Sequence, residues 1–472
     1  MTEAAFFDLD RTLVPGASGP AFSRALRQVG VLPERAIPGE GAVYKLFDLI
    51  GETLPSMFLA RQAARAAKGW RVQQVREAGE LAAEELDGAV PGFARLAVAQ
   101  HRAEGRKVVV ATTSPIDLVR PLAEVLGADE LIATTYGVRN GCYDGTIDGR
   151  FVWGPGKLGA VRDWAAVNGV AVEESWAYSD SFYDFPLLNA VGTPIVVNPD
   201  PRLRLLAAAR RWPVVHFDVP QRVPKVVGIE PQMVAQAIGR SPLFPWVHWD
   251  IDGTDNIPLT GPAILVANHR SYFDPLAVGR TVSEIHRPVR FLSKKEVLEA
   301  PVVGLLVASF GTIPVDRGSG SDEPLLAAAK ALEAGEVVAL MPQGTIPRGR
   351  ALYDPELKGR WGAARLATLS KAPVVPIGLW GTEAVWPRNR RYPDVLALGH
   401  PPVVRVRVGP PVELKYRSVD ADTKRIMTAI RALLPPEAEV VREPTAEEIA
   451  RAMPAGHSGD ADGETDRRPG SD

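Results

Sequence analysis

The chain has 472 residues, 46% hydrophobic and 23% charged, with a formal net charge of −2 at neutral pH. That length supports two or three domains with full cores, and the near-neutral balance excludes the strongly basic surface of a bulk nucleic-acid binder. A single cysteine, Cys142, excludes an intrachain disulfide and a cysteine-cluster zinc site and fits a reducing, cytoplasmic compartment.

The opening segment MTEAAFFDLD has neither the basic nor the apolar region of a signal peptide. The run AAFF then leads into Asp8 and Asp10, which strand alternation places on one face. Residues 17–88 carry helix formers at helical spacing and almost no strand signal, so a helical insertion is expected there. Strands are expected at KVVVA, SWAYS and PIVVN. KVVVATTSP ends in the hydroxyl of Thr112, WGPGKLGAV supplies Lys157 after a Gly–Pro–Gly loop, and WAYSDSFYDFPLL ends in Asp180 with Asp184 beyond it. Paired carboxylates at a parallel-sheet edge repel each other unless a cation or proton lies between them, and such an edge is where open α/β sheets bind ligands.

After a Pro- and charge-rich linker at 216–232 comes a second series: AILVAN, VRFLS, GTIPV, EVVALM, PVVPIGLW and VVRVRV. Alternation of such strands with helical patterns reads as α/β in both halves. In ILVANHRSYFDPLAV, His269 precedes Asp274 by five residues, and Asp274–Pro275 reads as N-cap and N1 of a helix. Five residues of helix would set the two side chains about 140° apart, so one of them must lie outside it. His269 at a strand end and Asp274 at a helix start would let the carboxylate orient an imidazole base. No run of 18 apolar residues occurs. The nearest approach, APVVGLLVASFGTIPV (300–315), is broken by Pro and Gly, so membrane contact is expected to be peripheral. LFPWVHW (243–249) and WGTEAVWPRNRRYP (380–393) mix Trp with basic residues, a pattern suited to a lipid interface or to a loop with core aromatics.

The first set of motifs resembles the haloacid dehalogenase superfamily of phosphatases, in its phosphoserine-phosphatase-like branch (subfamily IB), whose helical cap matches residues 17–88. The resemblance implies a Rossmann-like core, Asp8 as nucleophile and Asp10 as general acid and base. It also implies Thr112 and Lys157 on the phosphoryl oxygens, and Mg²⁺ on Asp8, the carbonyl of Asp10 and Asp180, with Asp184 close by. Thr112–Thr113–Ser114 departs from the family's Ser followed by glycines.

The second set resembles the 1-acylglycerol-3-phosphate acyltransferases. Asn268, His269 and Asp274 match the first block, Gly311 to Arg317 the second, and Val375, Pro376 and Ile377 the fourth. The third block, normally Glu-Gly-Thr-Arg, is Gln343, Gly344, Thr345 and Ile346, with Arg348 beyond. One negative and one positive charge are lost together, which reads as compensation, leaving Arg317 to meet an acceptor phosphate with Arg348 as helper. Arg360 and Lys358 are further cations. The implied architecture is a hydrolase at 1–218, an acyltransferase at 219–435 and a disordered tail at 436–472. The implied activity is acyl transfer from acyl-CoA or acyl-carrier protein to a lysophospholipid at the inner face of the plasma membrane, beside a Mg²⁺-dependent phosphatase. Two alternatives are a phosphatase with a lipid-binding anchor and an acyltransferase for another lysolipid.

Overall fold

The structure is a computed structural model, described here over residues 2–34, 54–219, 232, 245–294, 312–315, 323–395 and 399–454. Two compact units divide the chain, Met1–Gln221 and Arg222–Asp472, each built on a seven-stranded sheet with α/β layering. Arg317, Gly311, most of the 216–232 linker and residues 455–472 lie outside the described residues.

In the first unit the strands are β1 (Ala4–Phe7), β2 (Lys107–Pro115), β3 (Glu130–Arg139), β4 (Cys142–Asp148), β5 (Trp176–Ser179), β6 (Thr193–Val197) and β7 (Val214–Val215). Their order is β4-β3-β2-β1-β5-β6-β7, parallel except for the β3/β4 hairpin. β1 is central, with Phe7 opposite Val110 on one side and Tyr178 on the other. Ala5 and Phe7 enter one core cluster and Ala4 and Phe6 another, so the strand is buried on both faces, as parallel sheets require.

The helical insertion contains helices Gly19–Gln28, Leu54–Ala66 and Val72–Ala89, with residues 35–53 outside the described set. Helix Val72–Ala89 buries Val75, Ala78, Gly79, Ala82, Ala83 and Leu86, one stripe at helical spacing. That stripe meets helix Ile116–Val125 so closely that a Cβ at Gly79 would lie 2.7 Å from the carbonyl oxygen of Asp117. Asp117 locks the contact, accepting from Arg76 Nε at 2.8 Å and from Tyr143 Oη at 2.7 Å. Gly79→Ala should therefore destabilise the unit by about 1–3 kcal/mol through overpacking, outweighing the roughly 1 kcal/mol that Ala gains over Gly in a helix. Denaturant titration checks this, and a rise in midpoint would refute the close-packing account.

His101, on helix Gly92–Ala103, is buried with Nε2 at 2.8 Å from Tyr178 Oη and Nδ1 at 3.0 Å from Arg106 Nη1. Burial, then the neighbouring Arg106 charge, pushes its pKa from 6.5 down to about 4. Between those values the unfolded chain binds a proton that the folded chain does not, so stability falls as pH drops through that window. Urea midpoints at several pH values should show a smaller loss between pH 6.5 and pH 4 in His101→Gln than in the wild type.

In the second unit the strands are β8 (His248–Asp252), β9 (Ala263–Ala267), β10 (Val289–Lys294), β11 (Ile313–Val315), β12 (Val337–Leu340), β13 (Val374–Trp380) and β14 (Val403–Val408). The order is β11-β10-β12-β9-β13-β14-β8, with only β13/β14 antiparallel among the described pairs. β9 takes the place that β1 holds in the first unit: central, apolar and buried on both faces.

One expectation is corrected. Residues 436–454, assigned to a disordered tail, contain a turn at Pro436–Glu439 and helix Ala446–Ala452. The helix is started by a capping box of Thr445 and Glu448, and its Ala452 is buried against Ile346 and Leu352. Of the two readings of the Trp-containing stretches, the packing fits core aromatics: the rings of Trp246 and Trp249 lie 5.8 and 5.7 Å from that of Phe273, centroid to centroid, and Trp386 packs on the same core.

Candidate functional site

Each unit places its chemistry where its central strand ends. In the first, Asp8 follows β1, and its N–H donates to Tyr178 O of β5 at 2.9 Å. Lys157, in the first turn of helix Pro155–Asn168, is 1% exposed. Its Nζ lies 2.8 Å from Asp8 Oδ1 and 2.6 Å from Asp184 Oδ2, and Ser179 Oγ donates to the same Asp184 oxygen at 2.7 Å. A buried ammonium between two carboxylates satisfies charges that would otherwise be costly to desolvate. Asp180 pairs with Arg11 Nε at 3.0 Å, and Arg11 takes a left-handed backbone (φ 58°) to reach it. Asp10 Oδ1 accepts from Ser18 N–H at 2.5 Å. Thr112 is buried on β2, which continues to Pro115, and its Oγ1 accepts from Ser114 N–H at 3.2 Å.

In the second unit Asn268 extends the β9/β13 ladder by one side-chain rung: Nδ2 donates to Leu379 O at 2.9 Å and Oδ1 accepts from Leu379 N–H at 2.7 Å. His269 follows, with Nδ1 at 2.6 Å from Asp274 Oδ2. The same Asp274 oxygen accepts from the N–H groups of Arg270 (2.6 Å) and Ser271 (2.8 Å), and Oδ1 accepts from Thr382 Oγ1 (2.6 Å). Asp274 is therefore not the cap of its helix. It is the first residue of Asp274–Ser283, Phe273 stands at the cap position without a side-chain bond, and the carboxylate folds back onto the preceding loop. A carboxylate acceptor at Nδ1 makes that nitrogen the donor and leaves Nε2 as the basic atom.

The third block meets the histidine from the end of the neighbouring strand, β12. Gln343 Oε1 accepts from His269 N–H at 2.6 Å. Gly344, at φ +73°, turns the loop, and Ile346 is buried with Leu352 and Ala452. Arg388 holds the loop from behind, donating to the carbonyls of Ile346 and Pro347. Arg270 donates to Glu383 Oε1 at 2.7 Å, with its guanidinium 4.2 Å from the Trp380 ring centroid.

Residues 5–189 match the haloacid dehalogenase-like hydrolase family model, and residues 248–380 match the acyltransferase model. The inhibition of morphological differentiation protein of Streptomyces azureus is 36% identical over 255 residues, covering 52% of this chain and 92% of that protein. The chain belongs to the haloacid dehalogenase-like hydrolases. A probable phosphatase of Mycobacterium tuberculosis is 39% identical over 222 residues, 46% of this chain and 76% of the relative. A solved structure of a 1-acyl-sn-glycerophosphate acyltransferase from Thermotoga maritima is similar at 21% identity and a TM-score of 0.33, covering 43% of this chain and 77% of that one. The chain thus joins a phosphatase-type hydrolase unit to an acyltransferase unit.

Of the residues singled out in the hydrolase unit, Asp8, Lys157 and Asp184 form one connected cluster, while Asp180 pairs with Arg11 and Asp10 with the backbone of Ser18. Among the described residues no three His, Cys, Asp or Glu side chains gather closely enough to hold a metal by themselves. In the acyltransferase unit His269, Asp274 and Gln343 are brought together. Arg348 stands just ahead of the turn Gly349–Tyr353, and Thr345 lies in the loop between Gly344 and Ile346. Arg11, Ser179, Thr382 and Arg388 were not foreseen. Thr382 and Arg388 lie within the stretch 380–393, read as a lipid-interface pattern or a loop with core aromatics.

Lys157→Met leaves Asp184 buried without its cation, so it should destabilise the hydrolase unit by about 3–5 kcal/mol. Adding Asp184→Asn should recover much of that loss. A double-mutant cycle of unfolding free energies checks the coupling, and strict additivity would contradict it.

Proposed function

We propose that the chain is a bifunctional enzyme of phospholipid synthesis. Its acyltransferase unit moves an acyl group from acyl-CoA or acyl-carrier protein to the sn-2 hydroxyl of 1-acylglycerol 3-phosphate, giving phosphatidic acid. Its hydrolase unit cleaves a phosphate monoester through an aspartyl-phosphate. The observation that carries the reading is the His269–Asp274 pair at 2.6 Å, set at the end of the central strand and clamped by Gln343.

His269 Nε2 takes the proton of the acceptor hydroxyl as its oxygen attacks the thioester carbonyl carbon. Asp274 stabilises the imidazolium that results. When the tetrahedral intermediate collapses the C–S bond breaks, and the imidazolium returns its proton to the departing thiolate, leaving ester and free thiol. In the hydrolase unit Asp8 attacks phosphorus, the bond to the leaving oxygen breaks, and Asp10 protonates that oxygen. Asp10 then takes a proton from water as the water attacks the phosphoryl group, releasing phosphate and free Asp8. Lys157, fixed by Asp184, neutralises charge beside the nucleophile.

The hydrolase residues fit Mg²⁺. Asp8, Asp180 and the carbonyl of Asp10 are hard oxygen donors at one sheet edge, and the buried Asp184 Oδ1 takes no hydrogen bond. Bound there, Mg²⁺ would neutralise the phosphoryl oxygens. No helix among the described residues is long and apolar enough to cross a membrane. Exposed Tyr272 beside the acyltransferase site and exposed Tyr392 support a peripheral approach to the cytoplasmic membrane face.

The test is reciprocal, with labelled acyl-CoA, a panel of lysolipids and an aryl phosphate, each with and without Mg²⁺. His269→Ala should lower acyl transfer at least ~100-fold and spare phosphate release. Asp8→Asn should do the opposite. Acyl transfer near the wild-type rate in His269→Ala would overturn the assignment.

A further inference from the structure

We infer that the acyltransferase unit carries a second binding site, for a small amphipathic monocarboxylate, with Arg405 as the cation that meets the carboxylate. The site is a cavity of about 430 Å³, within the roughly 300–1,000 Å³ of small-molecule pockets. None of His269, Asp274 and Gln343 lines it. One wall nevertheless adjoins the catalytic loop: Trp380 carries the guanidinium of Arg270 at 4.2 Å from its ring centroid, and Arg270 follows His269 in the chain.

Strand alternation decides which residues reach the cavity. Leu379, Val404 and Val406 enter the core cluster shared with helix Asp274–Ser283, so Trp380, Arg405 and Arg407 face the other side of the sheet. Trp380 stands opposite Arg405 on β13 and β14, and Arg405 opposite Asp250 on β14 and β8. The segment after helix Val419–Arg431 forms the facing wall. Leu433 seats over Gly378, where a built Cβ would lie 2.7 Å from Leu433 Cβ. Leu433 and Leu434 thereby set aliphatic surface beside Trp380 and the two arginines.

The two arginines differ in what they hold. Arg407 is matched: Nη2 donates to Asp250 Oδ2 at 2.7 Å, and Nη1 donates to the carbonyls of Asp250 at 2.8 Å and Val406 at 3.1 Å. Arg405 has ion pairs only at long range, with Nε 4.0 Å from Asp250 Oδ2 and Nη1 3.8 Å from Glu437 Oε1. Both exceed hydrogen-bond reach, and the Arg405 side chain makes no hydrogen bond among the described residues. Its donor fork therefore lines the cavity with its bonding capacity unused, and a planar carboxylate matches such a fork through two parallel N–H···O bonds. Asp250 and Glu437 flank the same guanidinium, so one negative charge is welcome and a second is repelled. That selects a monocarboxylate over a phosphomonoester dianion, and the Trp380 and leucine surface selects a hydrocarbon body.

The experiment titrates the full chain calorimetrically with sodium octanoate, and with octan-1-ol and octyl phosphate as probes that lack the charge or carry a second one. Octanoate should bind the wild type more tightly than either. Arg405→Gln should weaken octanoate binding about tenfold to a hundredfold, the loss expected for a charged hydrogen-bond partner. Arg405→Lys should recover part of that loss. Asp250→Asn removes a flanking negative charge and should tighten octanoate binding, a gain that damage to the fold would not produce.

Leu434→Trp fills the cavity and leaves every charge in place, so it should weaken octanoate and octan-1-ol alike. It decides the matter with Asp250→Asn if circular dichroism shows Arg405→Gln to be unfolded. Octanoate held in the acyl-transfer site instead would bind Arg405→Gln and the wild type equally, and that result would overturn the inference. So would a wild type that takes up no octanoate, or one that prefers octyl phosphate.

Discussion

Asp274 is fully buried and collects four hydrogen bonds, from the ring of His269, the N–H groups of Arg270 and Ser271, and the hydroxyl of Thr382. A buried carboxylate with fewer donors would cost several kcal/mol, so these partners have to converge if the unit is to fold. Their convergence fixes the loop after β9, the start of the following helix and the turn after β13 relative to one another. The ring of His269 is oriented as a by-product of satisfying the charge. The first unit meets the same demand in another way, with one buried ammonium placed between Asp8 and Asp184.

Both sheets also share a topological reason for where the chemistry sits. β1 is flanked by β2 and β5, and β9 by β12 and β13, so in each sheet the chain leaves its central strand between neighbours that arrive later. A crevice opens at such a point because successive connections diverge to either side. The residue that ends the central strand, Asp8 or the Asn268–His269 pair, is delivered into it. Two unrelated reactions are thereby mounted on one geometric device, used twice along the same chain.

The parts of this arrangement that could be read from the sequence are those encoded locally. AAFF and AILVA are short continuous apolar runs, the mark of strands buried on both faces, and each leads directly into its chemical residue. The β3/β4 hairpin had a local signal too, Asn140–Gly141 with both residues at positive φ, although no apolar alternation announced it. What escaped were contacts between distant segments. Gln343 reaches His269 across 74 residues and Thr382 reaches Asp274 across 108, and no spacing rule says which loops meet. Asp274–Pro275 carried a true helix-start signal, but four competing donors drew the carboxylate away from its own helix.

Helix Ala446–Ala452 has a consequence for how this protein can be divided. Tyr353 Oη donates to Glu448 O at 3.2 Å, and Ala452 closes over Ile346, three residues beyond Gln343 in the same loop. The final described helix is thus a wall of the third-block loop, although it lies beyond the segment that matches the acyltransferase model. A chain cut after residue 435 would keep every chemical residue named above. It would also uncover an apolar side chain three positions from the clamp on His269, trading a well-placed base for a loop free to sample other conformations. The boundary of the catalytic unit is set by what keeps its loop packed, and that boundary extends past the last motif.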